Sequence, residues 1–150
     1  MLLELGNKIS CSAGVDSSFR ACQNILENLS NLKIQGNHKV YLSNWDSFLD
    51  KNNNWELITI NPPYLSSEEW SEKLQYDPKN SLVAKQQGLA HYRKFLDYLK
   101  KNEHWKVIIL ECSEFHEEYW KNIEETNSNW SLKRYRDYLG KFRIVSIVRK

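Results

Sequence analysis

Trp55-Glu56-Leu57-Ile58-Thr59-Ile60-Asn61-Pro62-Pro63-Tyr64 is an apolar, partly β-branched run that stops at two consecutive prolines. Proline has no N–H for a ladder, so a strand over 55–60 ends there. The two rings fix φ and delete two donors, and Pro62 pushes Asn61 towards an extended conformation. What remains is a turn that offers oxygens without competing N–H groups. A planar NH2 group can give one hydrogen to Asn61 Oδ1 and the other to the Pro62 carbonyl while the Tyr64 ring lies on its π face. Such a turn selects amides and aromatic amines.

Outward from this strand, helices and strands alternate. Lys8 to Val15 reads as a strand, and Asp16-Ser17-Ser18 opens a helix marked by Phe19, Cys22, Ile25, Leu26 and Leu29. His38 to Leu42 reads as a second strand, and Trp45 to Leu49 as a turn or short helix. Residues 65–86 are polar and irregular, a lid or a solvated loop. Leu89, Tyr92, Phe95, Leu96 and Leu99 mark a helix to about Lys101. Trp105 to Glu111 contains Val-Ile-Ile-Leu without polar alternation, as in a central strand covered on both faces. A helix over 114–125 follows, then strands Trp130–Tyr138 and Phe142–Val148 joined at Leu139-Gly140-Lys141, the one pair that reads as antiparallel. The pattern predicts a three-layer α/β fold whose ligands lie at the carboxyl ends of the strands, where the Asn61–Tyr64 turn sits. No repeat or interdomain linker interrupts residues 1–150, which read as one domain around one core.

Composition agrees with a globular chain: 150 residues, 41% hydrophobic and 27% charged, enough to fold without disulfides or a structural metal. The longest aliphatic run, Val107–Leu110, is far below the roughly 20 residues that span a bilayer, and no signal-peptide h-region opens the sequence. Three cysteines without C-x-x-C spacing suit a reducing compartment, so a cytoplasmic location is expected. The four dispersed histidines make no zinc pattern, and no metal is expected. Residues 1–75 carry net −3 and residues 76–150 net +5. After Leu132, seven Lys and Arg face only Asp137. These cations read either as a solvated, edge-protecting face or as a phosphate contact.

The Asn-Pro-Pro-Tyr tetrad resembles the signature of class I S-adenosylmethionine-dependent methyltransferases that modify NH2 nitrogens. Further stretches resemble the HemK-type glutamine N5-methyltransferases of peptide-chain release factors. They are Tyr76-Asp77-Pro78 with Ser81-Leu82, Gly88-Leu89-Ala90-His91-Tyr92-Arg93, Leu110-Glu111, and Asp137-Tyr138-Leu139-Gly140-Lys141-Phe142-Arg143. Around Cys112 to Phe115 the family's Gly and Gln are replaced. The resemblance covers roughly residues 8–150.

It implies a Rossmann-like class I methyltransferase fold, a mostly parallel sheet with helices on both faces and a C-terminal antiparallel hairpin. It also implies S-adenosylmethionine as cofactor, and a release factor as protein substrate. Asn61, Pro62, Pro63 and Tyr64 would bind the glutamine amide, with Asn61, Pro62 and Tyr64 catalytic and Asn61 also near the cofactor. Asp16 would accept the ribose hydroxyls and Asp46 the adenine amino group, although helix or turn capping is the competing role for both. The family's glycine-rich loop has no counterpart: nine residues separate Gly6 from Asp16, too few for a loop, helix and strand. The expectation is therefore a partial catalytic domain whose first strand and loop lie outside the chain, with a complementary N-terminal polypeptide as a possible partner. Two other readings stay open: methylation of an adenine or cytosine amine in nucleic acid, and a non-catalytic remnant.

Overall fold

A computed structural model describes residues 9–51, 54–70 and 79–150. The chain divides into two compact units, Met1–Asn52 and Asn53–Lys150. Polar Asn52-Asn53-Asn54 marks the division, a stretch with no apolar side chain to bury.

The first unit runs β1 (Cys11–Asp16), α1 (Phe19–Asn31), β2 (Asn37–Leu42) and α2 (Trp45–Lys51). β1 and β2 pair in parallel from Cys11 opposite Asn37 to Asp16 opposite Leu42. α1 begins where the sequence places a cap: Ser18 is extended and its hydroxyl accepts the Ala21 N–H at 3.3 Å. It ends with Lys33 in the left-handed region, φ 49, while the Ile34 N–H returns to the Leu29 carbonyl.

The second unit holds β3 (Trp55–Ile60), a four-residue helix α3 (Lys79–Leu82) and α4 (Ala90–Lys101). Then come β4 (Trp105–Glu111), α5 (Glu117–Thr126), β5 (Trp130–Arg136) and β6 (Phe142–Arg149). Its sheet has the order β3-β4-β6-β5, with β3 and β4 parallel and β6 antiparallel to both neighbours. β3, β4 and β5 therefore point one way and β6 alone is reversed. The C-terminal hairpin forms as expected, but its second strand lies between β4 and β5, so β4 and β6 make a second antiparallel pair. β6 alternates buried Phe142, Val145 and Ile147 with more exposed positions, and this places three apolar side chains in mid-sheet.

Ile108 and Leu110 of β4 are fully buried, with Val107 and Ile109 half-buried on the other face. α4 buries the predicted stripe of Tyr92, Phe95, Leu96 and Leu99, and Tyr98 besides. The helix expected from Glu114 starts as a 3₁₀ turn, Glu114–His116, because Ser113 caps it by accepting the Phe115 N–H, and the α-helical part begins at Glu117. The strand expected to reach Tyr138 stops at Arg136, since Asp137 turns the chain by accepting two backbone N–H groups.

Candidate active site

β3 ends at Ile60, paired with Leu110 of β4, and the tetrad leaves the sheet beside the last residue of β4, Glu111. Asn61 is exposed, Pro62 buried, and Pro63 and Tyr64 half-buried. Directly afterwards the Leu65 N–H donates to the Leu82 carbonyl and the Leu65 carbonyl accepts the Ala84 N–H, both at 2.9 Å. This bridge to Val83 structures a part of 65–86 that the sequence left irregular. Tyr76, Asp77 and Pro78 lie outside the described residues.

Tyr64 is held at two points. Its phenol donates to Glu111 Oε1 at 3.1 Å. Its carbonyl lies against Gly88, where φ is +82 and a Cβ would fall 2.1 Å from that oxygen. Only glycine fits there. Burial, together with the charge and hydrogen bond of Glu111, raises the Tyr64 pKa, and the Arg143 guanidinium opposes the shift. The phenol therefore stays protonated at neutral pH and serves as a donor.

Glu111 is anchored in turn. Its backbone carbonyl accepts the hydroxyl of fully buried Tyr92 at 3.0 Å, and the Tyr92 ring meets Trp120 edge-on at 5.4 Å. The next residue, Cys112, donates its N–H to the Arg143 carbonyl at 2.8 Å, and burial pushes its thiol up to about 12. Arg143 also lies 3.6 Å from Asp137, whose other oxygen accepts the Leu139 and Lys141 N–H groups and closes the hairpin. Gly88, Glu111 and Arg143, from stretches far apart in sequence, thus meet at Tyr64, with Tyr92 behind Glu111 and Asp137 behind Arg143. Sequence reasoning gave Glu111 no role, although an acid ending a buried strand was the available signal.

Asp16 and Asp46 belong to the first unit. Asp16 ends β1 and one carboxylate oxygen accepts the Ser18 N–H at 2.7 Å, a local turn just before the helix, whose cap is Ser18 itself. Asp46 lies in the first turn of α2, where the helix dipole favours a negative charge. Among the described residues no glycine-rich turn leads from a strand into a helix: Ser17-Ser18 precede α1 and Ser43-Asn44 precede α2. Asp16 and Asp46 thus stand at a strand end and in a first helical turn, and a glycine-rich cradle is not found among the described residues. No group of three or more His, Cys, Asp or Glu among the described residues is placed to hold a metal ion.

A groove of about 460 Å³ lies elsewhere in the second unit, lined by Glu117, Glu124, Arg134, Arg136 and Phe142 among others. Four of its charges pair: Arg134 Nε lies 2.9 Å from Glu124, and Arg136 pairs with Glu117, while Lys133 of β5 is exposed. Arg134 and Arg136 of the basic C-terminal stretch are thus paired from α5 on the edge strand. Among the described residues no helix is long and apolar enough to cross a membrane.

No family model matches the chain. A release factor glutamine methyltransferase of Fusobacterium nucleatum is 29% identical over 146 residues, which is 92% of this chain and 40% of that protein. The one from Streptococcus pneumoniae is 34% identical over 93 residues, 57% of this chain and 32% of that protein. The uncharacterized MG259 homolog of Mycoplasma pneumoniae is 43% identical over 58 residues, 39% of this chain and 13% of that protein. The chain thus spans at most 40% of the length of these relatives. Among solved structures, an rRNA methylase from Streptococcus thermophilus gives a TM-score of 0.55 at 10% identity, covering 91% of this chain and 72% of that one. A candidate methyltransferase of Streptococcus mutans, solved with SAH, gives 0.55 at 13%, covering 92% and 75%. These likenesses establish the class I methyltransferase fold. The Fusobacterium nucleatum and Streptococcus pneumoniae relatives are named as release factor methyltransferases, and these names do not favour a nucleic-acid substrate.

Proposed function

We propose, from the chain's relationship to the HemK-type release factor glutamine methyltransferases and from its class I methyltransferase fold, that it is the catalytic part of a cytoplasmic S-adenosylmethionine-dependent enzyme. The reaction is methylation of a glutamine side-chain amide nitrogen in a peptide-chain release factor. The observation that carries this reading is the tetrad itself. Asn61 stands exposed at the end of β3, and Tyr64 is braced by Glu111 and Gly88 beside it.

An amide nitrogen is a weak nucleophile because its lone pair is delocalised into the carbonyl. The bound cofactor supplies an electrophilic sulfonium methyl group; the residues of the chain supply position. Asn61 Oδ1 and the Pro62 carbonyl each accept one amide hydrogen, and the Tyr64 ring packs on the amide plane. This fixes the direction of the nitrogen and polarises its N–H bonds. Fixing two reactants in a near-attack geometry contributes about 7–11 kcal/mol, so no strong base is needed. Asp16, through its remaining oxygen, holds the ribose hydroxyls, and Asp46 the adenine amino group.

The test is transfer of a labelled methyl group to the glutamine of a purified release factor, located by mass spectrometry of the tryptic peptide. Asn61→Ala should lower kcat/KM by about 10²–10³, the usual loss for one preorganised hydrogen-bonding group. Unchanged turnover in that variant would remove the tetrad from the mechanism. In calorimetry, Asp16→Asn should weaken S-adenosylhomocysteine binding and leave the tetrad intact.

A further inference from the structure

Behind Gly88 the chain passes through a backbone arrangement that few sequences adopt. Gln86 and Gln87 both have φ 56 and Gly88 has φ 82, three successive residues in the left-handed region, two of them carrying a Cβ. Such a run persists only where its surroundings over-determine it. On one side is the Tyr64 carbonyl. On the other is His116, the last residue of the 3₁₀ turn after β4, buried at 5% exposure.

His116 Nε2 lies 2.9 Å from the Gln87 carbonyl, and its Cε1 would stand 2.8 Å from a Cβ on Gly88. A carbonyl can only accept, so Nε2 carries the proton and donates. The ring's other nitrogen, Nδ1, is buried with no partner among the described residues. The imidazole meets Tyr92 edge-on at 5.6 Å, and Tyr92 in turn holds the carbonyl of Glu111, the residue that accepts the Tyr64 phenol.

We propose that His116 is a positioning residue for the Asn61–Tyr64 tetrad: its Nε2–H, donated to the Gln87 carbonyl, locks the Gln86–Gly88 turn against the Tyr64 backbone. It touches neither substrate nor cofactor, and it acts through the turn. This inference rests on the proposed methyl transfer only for its kinetic consequence. The brace has its own readout in hydrogen exchange at the Leu65 and Ala84 amides, which pair across the segment the turn holds.

The variants are His116→Phe, which keeps the ring and loses the donor, and His116→Gln, whose side-chain amide can still donate to Gln87. His116→Phe should speed exchange at Leu65 and Ala84 at least tenfold, with Ile108 and Val145 unchanged. It should lower kcat about tenfold with no change in KM for S-adenosylmethionine. His116→Gln should restore both. In the ¹⁵N spectrum of the unmodified protein the His116 ring should give the Nε2–H tautomer. Should His116→Phe fail to fold, His116→Asn, with its amide one bond too short to reach, must show the same two losses. Wild-type exchange rates at Leu65 and Ala84 in the variant that lacks the donor would overturn the proposal. So would failure of His116→Gln to restore them, or an Nδ1–H tautomer. If the parent transfers no methyl group but the exchange pattern holds, the proposed reaction fails and the brace stands.

Discussion

The two units treat the same kind of apolar residue differently. In the second, Tyr92, Phe95, Ile108, Leu110, Trp120, Phe142, Val145 and Ile147 are all within 1% of complete burial. In the first, the buried apolar side chains among the described residues are Cys22, Phe48 and Leu49, while Phe19, Leu26 and Leu42 are more than half exposed. A four-stranded sheet closes a core between itself and its helices. The two parallel strands and two helices described in the first unit bury few apolar side chains against one another. The candidate site residues follow the same division: Tyr64 is held by the Glu111 carboxylate and by the close approach of Gly88, whereas Asp16 is held by one local backbone turn.

Cysteine labelling reads this contrast most directly. Cys11 is exposed, and Cys22 and Cys112 are buried one in each unit. At pH 8 Cys112 should react more than roughly 10³-fold more slowly than Cys11, since its labelling waits for the second unit to open. Cys22, whose thiol donates to the Asp16 and Tyr41 carbonyls at 3.6 Å each, should react before Cys112. Equal rates for the two would break the comparison. There is a pH consequence as well. The folded thiol of Cys112 is raised by burial to about 12. Its contribution to stability is therefore complete below the ordinary thiol pKa and is lost as pH rises through about 12, so the second unit should weaken across that alkaline window.

Trp120→Ala should cost about 3–5 kcal/mol in urea unfolding, because the removed indole fills space against Tyr92 that β4 and β6 cannot collapse into. Leu26→Ala in the first unit, at a position 53% exposed, should stay within about 0.5 kcal/mol. Gly88→Ala comes next, at about 1–3 kcal/mol: the added methyl enters the Tyr64 carbonyl at a positive φ. Its damage should concentrate at the tetrad, as loss of exchange protection at Leu65 and Ala84.

Much of this was legible in the sequence because it is local. The strand ending at Pro62, the stripe of α4, the Ser18 cap and the boundaries of β3 and β4 depend on neighbours within a turn or two. What stayed hidden depends on register between distant segments. Tyr64 and Glu111 are 47 residues apart and meet because Ile60 pairs with Leu110. The insertion of β6 between β4 and β5 is likewise a choice among ladders that alternation within one strand cannot make. His116 gave no signal because its partner is a backbone carbonyl 29 residues away, and a carbonyl has no residue type.

The smallest predicted effect tests whether the first unit rests on local order. Ser18 accepts the Ala21 N–H and caps α1, and Asp16 accepts the Ser18 N–H just before it. Ser18→Ala removes one acceptor and leaves an orphan donor in the first turn, a loss of about 1 kcal/mol. In the second unit an effect of that size would vanish into a large core. In the first, where few side chains are buried, it should be a substantial fraction of what holds Cys22 closed, and labelling of Cys22 should accelerate about fivefold while Cys112 is unmoved. If both thiols accelerate together, the two units open as one, and the contrast in burial between them has no counterpart in their stability.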